Sequence, residues 1–229
     1  MDKRPVAVFD IDGTIFRSSL FLELVKQMSL QGILPDGFKN AYEAERLSWL
    51  DRKGDYQEYV GKVVQAFVAN IKGVSYDTVT KLANEIVEEK KDRVYRYTRD
   101  LMKDLREEGY FLLAISHSPR FILDVFCKEA GFDKVYGYFY ETGPTGNFTG
   151  EVADADVMNN KAAVLQRAVQ KGSLSLEKSV GVGDTETDIP MLEMVETAIA
   201  FNPNRKLLEH ARKRKWKIVV ERKDVVYEM

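Results

Sequence analysis

Two carboxylates stand two residues apart, Asp10 and Asp12, at the end of the apolar run Val6-Ala7-Val8-Phe9 and just before Gly13-Thr14. Side chains two apart at the end of a buried strand share one face, and a glycine beside them permits a tight turn. Such a pair repels itself unless a metal ion or a proton is shared, so the pattern marks a candidate centre for phosphoryl transfer. A second acidic turn follows Val180-Gly181-Val182-Gly183, with Asp184 and, four residues on, Asp188. An isolated turn of this type is often no more than a helix cap. Here it follows two different buried strands. Asp10, Asp184 and Asp188 together offer the hard oxygen ligands that suit Mg²⁺, which keeps waters and substrate phosphate in its other positions.

Phosphoryl transfer also needs donors around the transferring oxygens. Ser116 ends the apolar run that starts at Tyr110, and the next helix opens at Pro119. The Ser116 hydroxyl and the backbone N–H groups that follow are therefore placed to grip a phosphate. Lys161 opens a helix whose next residues, Ala162 to Leu165, face a core; by position alone it reads as one more solvated lysine. His117 is a candidate for substrate contact or helix capping. Arg17, Arg46 and Arg52 are candidates to meet an anionic group of a substrate, whereas Tyr42, Trp49 and Tyr56 read as helix-packing aromatics.

The elements that must hold these residues alternate. Apolar runs at 5–10, 110–116, 178–183, 197–201 and 217–220 read as strands, the first three as buried and parallel. Helical patterns fall at about 96–108, 119–130, 159–171 and 204–214, with a short one near 188–194. Buried strands alternating with helices predict a layered α/β core with a mostly parallel sheet. Residues 15–93 interrupt the alternation with several helices, broken near Pro35, Gly54 and Gly73. An insertion there is expected to sit over the carboxyl ends of the strands, where an open α/β sheet binds ligand. Residues 135–151, aromatic and then rich in glycine, predict a small antiparallel hairpin beside the main sheet. The basic stretch from Arg212 to Lys217 reads as a solvated helix end.

With 229 residues the chain can bury one good core and carry a small second unit. A net charge of −2 gives no reason to expect nucleic acid or an anionic membrane as partner. Cys127 is the single cysteine, which rules out an internal disulfide and fits a reducing compartment. After Asp2, Lys3 and Arg4 comes only a short apolar strand, unlike a signal peptide, and no apolar run is long enough to span a bilayer. A cytoplasmic location is expected.

Taken in order, Asp10-Ile11-Asp12-Gly13-Thr14, the serine of Ile115-Ser116-His117-Ser118-Pro119, Lys161, and Gly183-Asp184-Thr185-Glu186-Thr187-Asp188 carry a family resemblance. The sequence resembles haloacid dehalogenase (HAD) superfamily hydrolases, subfamily IB, the phosphoserine-phosphatase-like branch. The resemblance implies a three-layer Rossmann-like HAD core over 1–14 and 94–229, with a helical C1-type cap over 15–93 inserted after the first strand. It implies Asp10 as the nucleophile that becomes an aspartyl-phosphate. Asp12 would protonate the leaving oxygen and then activate water. Mg²⁺ would be held by Asp10, Asp184 and the Asp12 carbonyl, with Asp188 holding metal-bound water or the Lys161 amine. Ser116 and Lys161 would bind the phosphoryl group. The implied activity is hydrolysis of a small phosphorylated metabolite.

Phosphoserine phosphatases place an acid shortly after the nucleophile to read the substrate amine. In Arg17-Ser18-Ser19-Leu20-Phe21 there is none before Glu23, so the phosphorylated alcohol stays unnamed. Two other functions fit the same residues: a phosphotransferase passing the group to an alcohol acceptor, and a noncatalytic phosphate-binding regulatory protein. The complete set of Asp10, Asp12, Ser116, Lys161, Asp184 and Asp188 argues against the second.

Overall fold

The computed structural model describes residues 3–229, so the first two residues, Asp2 among them, lie outside the described residues. Among the described residues eight strands form one sheet: β1 (Pro5–Phe9), β2 (Phe111–Pro119), β3 (Lys134–Thr142), β4 (Phe148–Ala153), β5 (Ser175–Gly183), β6 (Thr197–Phe201), β7 (Lys217–Arg222) and β8 (Val225–Glu228). Their spatial order is β4-β3-β2-β1-β5-β6-β7-β8. The six inner strands pair in parallel, and the two outer pairs, β3 with β4 and β7 with β8, are antiparallel.

Continuous apolar runs form the central strands because both faces of the sheet are covered. In β1, Ala7 and Phe9 join one buried cluster while Val6 and Val8 join another on the opposite face. Ten α-helices are found among the described residues. Four lie in the insertion after β1: α1 (Leu20–Leu30), α2 (Glu43–Leu50), α3 (Tyr56–Ile71) and α4 (Tyr76–Lys90). The others are α5 (Arg96–Glu107), α6 (Arg120–Ala130), α7 (Ala155–Met158), α8 (Lys161–Gly172), α9 (Ile189–Leu192) and α10 (Arg205–Arg214). Met102 of α5 and Phe126 of α6 bury against the Phe9 face, and Leu165 of α8 and Leu207 of α10 against the Val8 face. Among the described residues no helix is long and apolar enough to cross a membrane.

The insertion is ordered by its caps. Ser19, Asp55 and Ser75 accept hydrogen bonds from first-turn N–H groups of α1, α3 and α4, each such cap contributing about 1 kcal/mol. Its apolar stripes, with Leu24, Val63, Phe67, Val79 and Ile86, run into the Phe9 cluster. A buried ion pair, Lys90 Nζ to Glu23 at 2.9 Å, ties α4 to α1.

Two features differ from the sequence reading. The hairpin does not lie beside the sheet: Val135 and Tyr136 pair with Ala114 and Ile115 of β2, so β3 and β4 extend the sheet to its edge. Strand β8 was not expected. It returns on β7 through a turn in which Lys223 takes a φ of 56°, and its short, partly charged sequence carries little strand signal.

Candidate active site

Strand β1 lies where the sheet changes direction of growth, with β2 on one side and β5 on the other. Loops leaving the carboxyl ends of such neighbours diverge and open a crevice between them. The Asp10 N–H still donates to Val182 O of β5 at 2.9 Å, so the acidic loops after β1 and β5 are held side by side. Gly13 has a φ of 84°, and a Cβ there would strike the Asp184 carboxylate. At Gly183 a Cβ would lie 2.5 Å from Asp188 Cβ. Both glycines are needed for the acids to come this close.

Lys161 stands at the first turn of α8, which Asn160 caps through the Ala163 N–H. Its Nζ lies 2.6 Å from Asp10 Oδ1 and 2.5 Å from Asp188 Oδ1. Lys161 is 2% exposed and Asp188 0%. The other Asp188 oxygen accepts the backbone N–H groups of Asp184 and Thr185, both at 3.0 Å. Oxygens of Asp10, Asp184 and Asp188 all lie within 4.8 Å of one another.

One ammonium cannot balance three carboxylates in a buried space. Burial pushes the Asp10 carboxyl up to about 7 against the pull of Lys161, with Asp188 and Asp12 adding to the rise. Asp184 is pushed well above the usual carboxylate range by burial and by Asp10 and Asp188. Burial alone would lower the Lys161 value, but Asp10 and Asp188 outweigh it and hold the ammonium charged. Clustered hard oxygens with excess negative charge fit a divalent cation such as Mg²⁺.

Asp12 has different surroundings. One of its oxygens accepts the Leu20 N–H of α1 at 2.6 Å; the other accepts the hydroxyls of Ser116 at 3.2 Å and Ser118 at 2.5 Å. Burial raises its carboxyl, opposed by these hydrogen bonds, the Ser118 bond foremost. The Asp12 side chain is not in the Asp10, Asp184 and Asp188 set. Ser118 was not singled out from sequence, although Ser116 and Ser118 at the two-residue period of a strand share a face.

These groups form one end of a cavity of about 430 Å³ whose far wall comes from α3 and β3. His117 lines it, with Nε2 3.2 Å from Met158 O and the ring stacked on Tyr138. A carbonyl only accepts, so Nε2 carries the hydrogen. Burial, with Lys161 nearby, lowers its value to about 4, which leaves the ring neutral near pH 7. Tyr56 packs with Trp49 and Tyr59 and also reaches the cavity wall, which its sequence position did not signal.

The structure brings neither Arg17 nor Arg46 into the cavity. Arg46 is held on α2 by both Glu43 oxygens, at 2.7 and 2.6 Å. Arg17 is exposed, its guanidinium 5.6 Å from the centre of the Tyr95 ring. Arg52 is exposed in the turn after α2.

A family model described as haloacid dehalogenase-like hydrolase matches residues 7–193. The chain is 26% identical over 225 residues to a phosphoserine phosphatase of Mycobacterium tuberculosis, covering 95% of this chain and 71% of that protein. A solved structure of a Bordetella pertussis protein of unknown function aligns with a TM-score of 0.72 at 18% identity, covering 95% of this chain and 98% of the other. A substrate-bound phosphoserine phosphatase aligns with a TM-score of 0.64 at 20% identity, covering 98% and 96%. At these identities the solved structures speak for the fold alone.

Proposed function

Since the chain belongs to the haloacid dehalogenase-like hydrolases, we propose that it is a Mg²⁺-dependent phosphatase that cleaves a small phosphomonoester through an aspartyl-phosphate on Asp10. The observation that carries this reading is the unlike environment of two neighbouring acids. Asp10 is paired with an ammonium beside two further carboxylates, while Asp12 accepts from three neutral donors. Environments that separate two carboxylates in this way assign one as nucleophile and the other as acid and base.

In the first step the Asp10 carboxylate attacks phosphorus and the bond from phosphorus to the leaving oxygen breaks. Protonated Asp12, aimed by Ser118 and the Leu20 N–H, delivers its proton to that oxygen and the alcohol departs. In the second step Asp12 takes a proton from water as the water oxygen attacks phosphorus. The bond to Asp10 breaks, phosphate leaves, and both acids return to their starting states. Lys161 and Ser116 bind the phosphoryl oxygens throughout. Mg²⁺, held by Asp10, Asp184 and the Asp12 carbonyl with Asp188 behind them, would supply the positive charge that lets a carboxylate approach a phosphate dianion. In this reading residues 15–93 are the cap and residues 1–14 with 94–229 the core. The cap excludes bulk water while the aspartyl-phosphate stands.

Phosphate release from a panel of phosphomonoesters with Mg²⁺ tests the proposal. Asp10→Asn is expected to cut turnover by roughly 10⁴-fold or more while circular dichroism shows an intact fold. Undiminished release by that variant would sink the nucleophile role. No release from any ester by the unaltered chain would sink the phosphatase reading itself.

A further inference from the structure

Helix α3 carries two apolar stripes where one would serve the core. Tyr59, Val63, Ala66, Phe67 and Ile71 are buried. Val60, Val64 and Val68, on another face, are only half-buried and line the cavity that leads to Asp10. Gly61 lies within this second face, also on the cavity wall. Glycine inside a helix is disfavoured relative to alanine, so its presence asks for a reason. Conformation is not the reason, since Gly61 is helical. Close packing is not the reason either, because a Cβ at Gly61 would meet no atom within 4 Å. Gly13 and Gly183 are the contrast, with their missing Cβ atoms occupied by neighbouring acids. What lies beside Gly61 is open cavity.

The charge distribution of that cavity is one-sided. Its charged side chains are Asp10, Asp12, Asp184 and Lys161, all at the phosphoryl end. Beyond them the wall offers Phe21, Tyr56 and the three valines, with Gln57 and Gln65 as neutral hydrogen-bonding groups. An ammonium or carboxylate on the far half of a substrate would lose water there and find no ion partner, which disfavours its binding. Valine side chains have little rotamer freedom, so this wall is already shaped before anything binds.

We infer that the alcohol half of the substrate is uncharged and largely apolar, with one or two hydroxyl or carbonyl groups for Gln57 and Gln65, and that Gly61 leaves the space it occupies. The inference rests on the phosphatase reading and narrows it to a substrate class. It excludes amino-acid and carboxylate-bearing phosphates as preferred substrates.

The test compares kcat/KM of the full chain, with Mg²⁺, for phenyl and n-butyl phosphate against O-phosphoserine, phosphoethanolamine, phosphocholine and 3-phosphoglycerate. The neutral esters are expected to lead by about tenfold or more. In Gly61→Leu the ratio of kcat/KM for phenyl over methyl phosphate is expected to fall by about tenfold or more, because the new side chain fills the space of the ring. Gly61→Ala serves if the leucine variant does not fold: its Tm rises with the better helix former, and the same ratio falls by a smaller factor. A charged ester hydrolysed as well as the neutral ones overturns the inference and leaves the phosphatase reading standing. An unchanged phenyl-to-methyl ratio in a folded Gly61 variant overturns it too. Failure to hydrolyse any ester removes the phosphatase reading and this inference with it.

Discussion

The two ends of the cavity are built on opposite plans. At the phosphoryl end, the loops leaving β1 and β5 place four acids beside Lys161 from the first turn of α8 and the Ser116 and Ser118 hydroxyls of β2. There Asp12 and Asp188 each use both side-chain oxygens. At the other end α3, facing β3, presents valines, glutamines and a glycine, none of them charged. Groups at the first end cannot be changed one at a time, because each holds the charge or position of another. The second end is a set of independent contacts, where one substitution alters shape and little else. In the proposed phosphatase, chemistry and specificity would thereby fall to different kinds of structure.

Substitutions can break or sharpen this contrast. The largest combined effect on activity and stability is expected at Lys161. Replacing it by methionine strips Asp10 and Asp188 of their counter-ion, which would lower kcat by about 10²–10³-fold. Without added Mg²⁺ it would also cost about 3–5 kcal/mol of stability in urea unfolding, since it leaves buried charge uncompensated. A variant as stable and as active as the parent would dissolve the contrast, for it would mean that the cluster is not interdependent.

A smaller effect is expected from Ser118→Ala, which removes one of three donors to Asp12. Turnover of alkyl phosphates should fall on the order of tenfold, a fraction of what a positioned general acid contributes. Turnover of p-nitrophenyl phosphate should fall less, because its leaving group needs little protonation. Equal losses with both would detach Ser118 from proton transfer and leave it a packing residue.

The smallest effect is expected at Arg46. Its ion pair with Glu43 is partly exposed and lies within one helix turn. Arg46→Ala should therefore change stability by no more than about 1 kcal/mol. Its kcat/KM should stay within about twofold of the parent, since the side chain does not line the cavity. A large loss of kcat/KM would show that substrate recognition reaches α2 and that the helical end extends beyond α3.

Much of the sheet was legible because strands buried on both faces read as unbroken apolar runs, as in Val6-Ala7-Val8-Phe9. The acids that end β1 and β5 stood out for the same reason: carboxylates directly after such runs need a purpose. The breaks between the inserted helices were marked by Pro35, Gly54 and Gly73. Strand β8 was not legible, because four residues of mixed character form a strand only when β7 is there to pair with.

Which distant groups meet was the other hidden part. Ser118 and the Leu20 N–H converge on Asp12 from separate elements, and Arg17 and Arg46 looked available until the structure placed them against Tyr95 and Glu43. The sequence by itself determined the alternating α/β order and the acids that end β1 and β5, because local hydrophobic pattern and turn chemistry dictate both. Tertiary structure alone decided that Asp12 is held apart from Asp10 and that one face of α3 closes the far side of the cavity. Those outcomes depend on how helices after β1 pack over the strand ends, and no local pattern encodes which side chains that packing brings together.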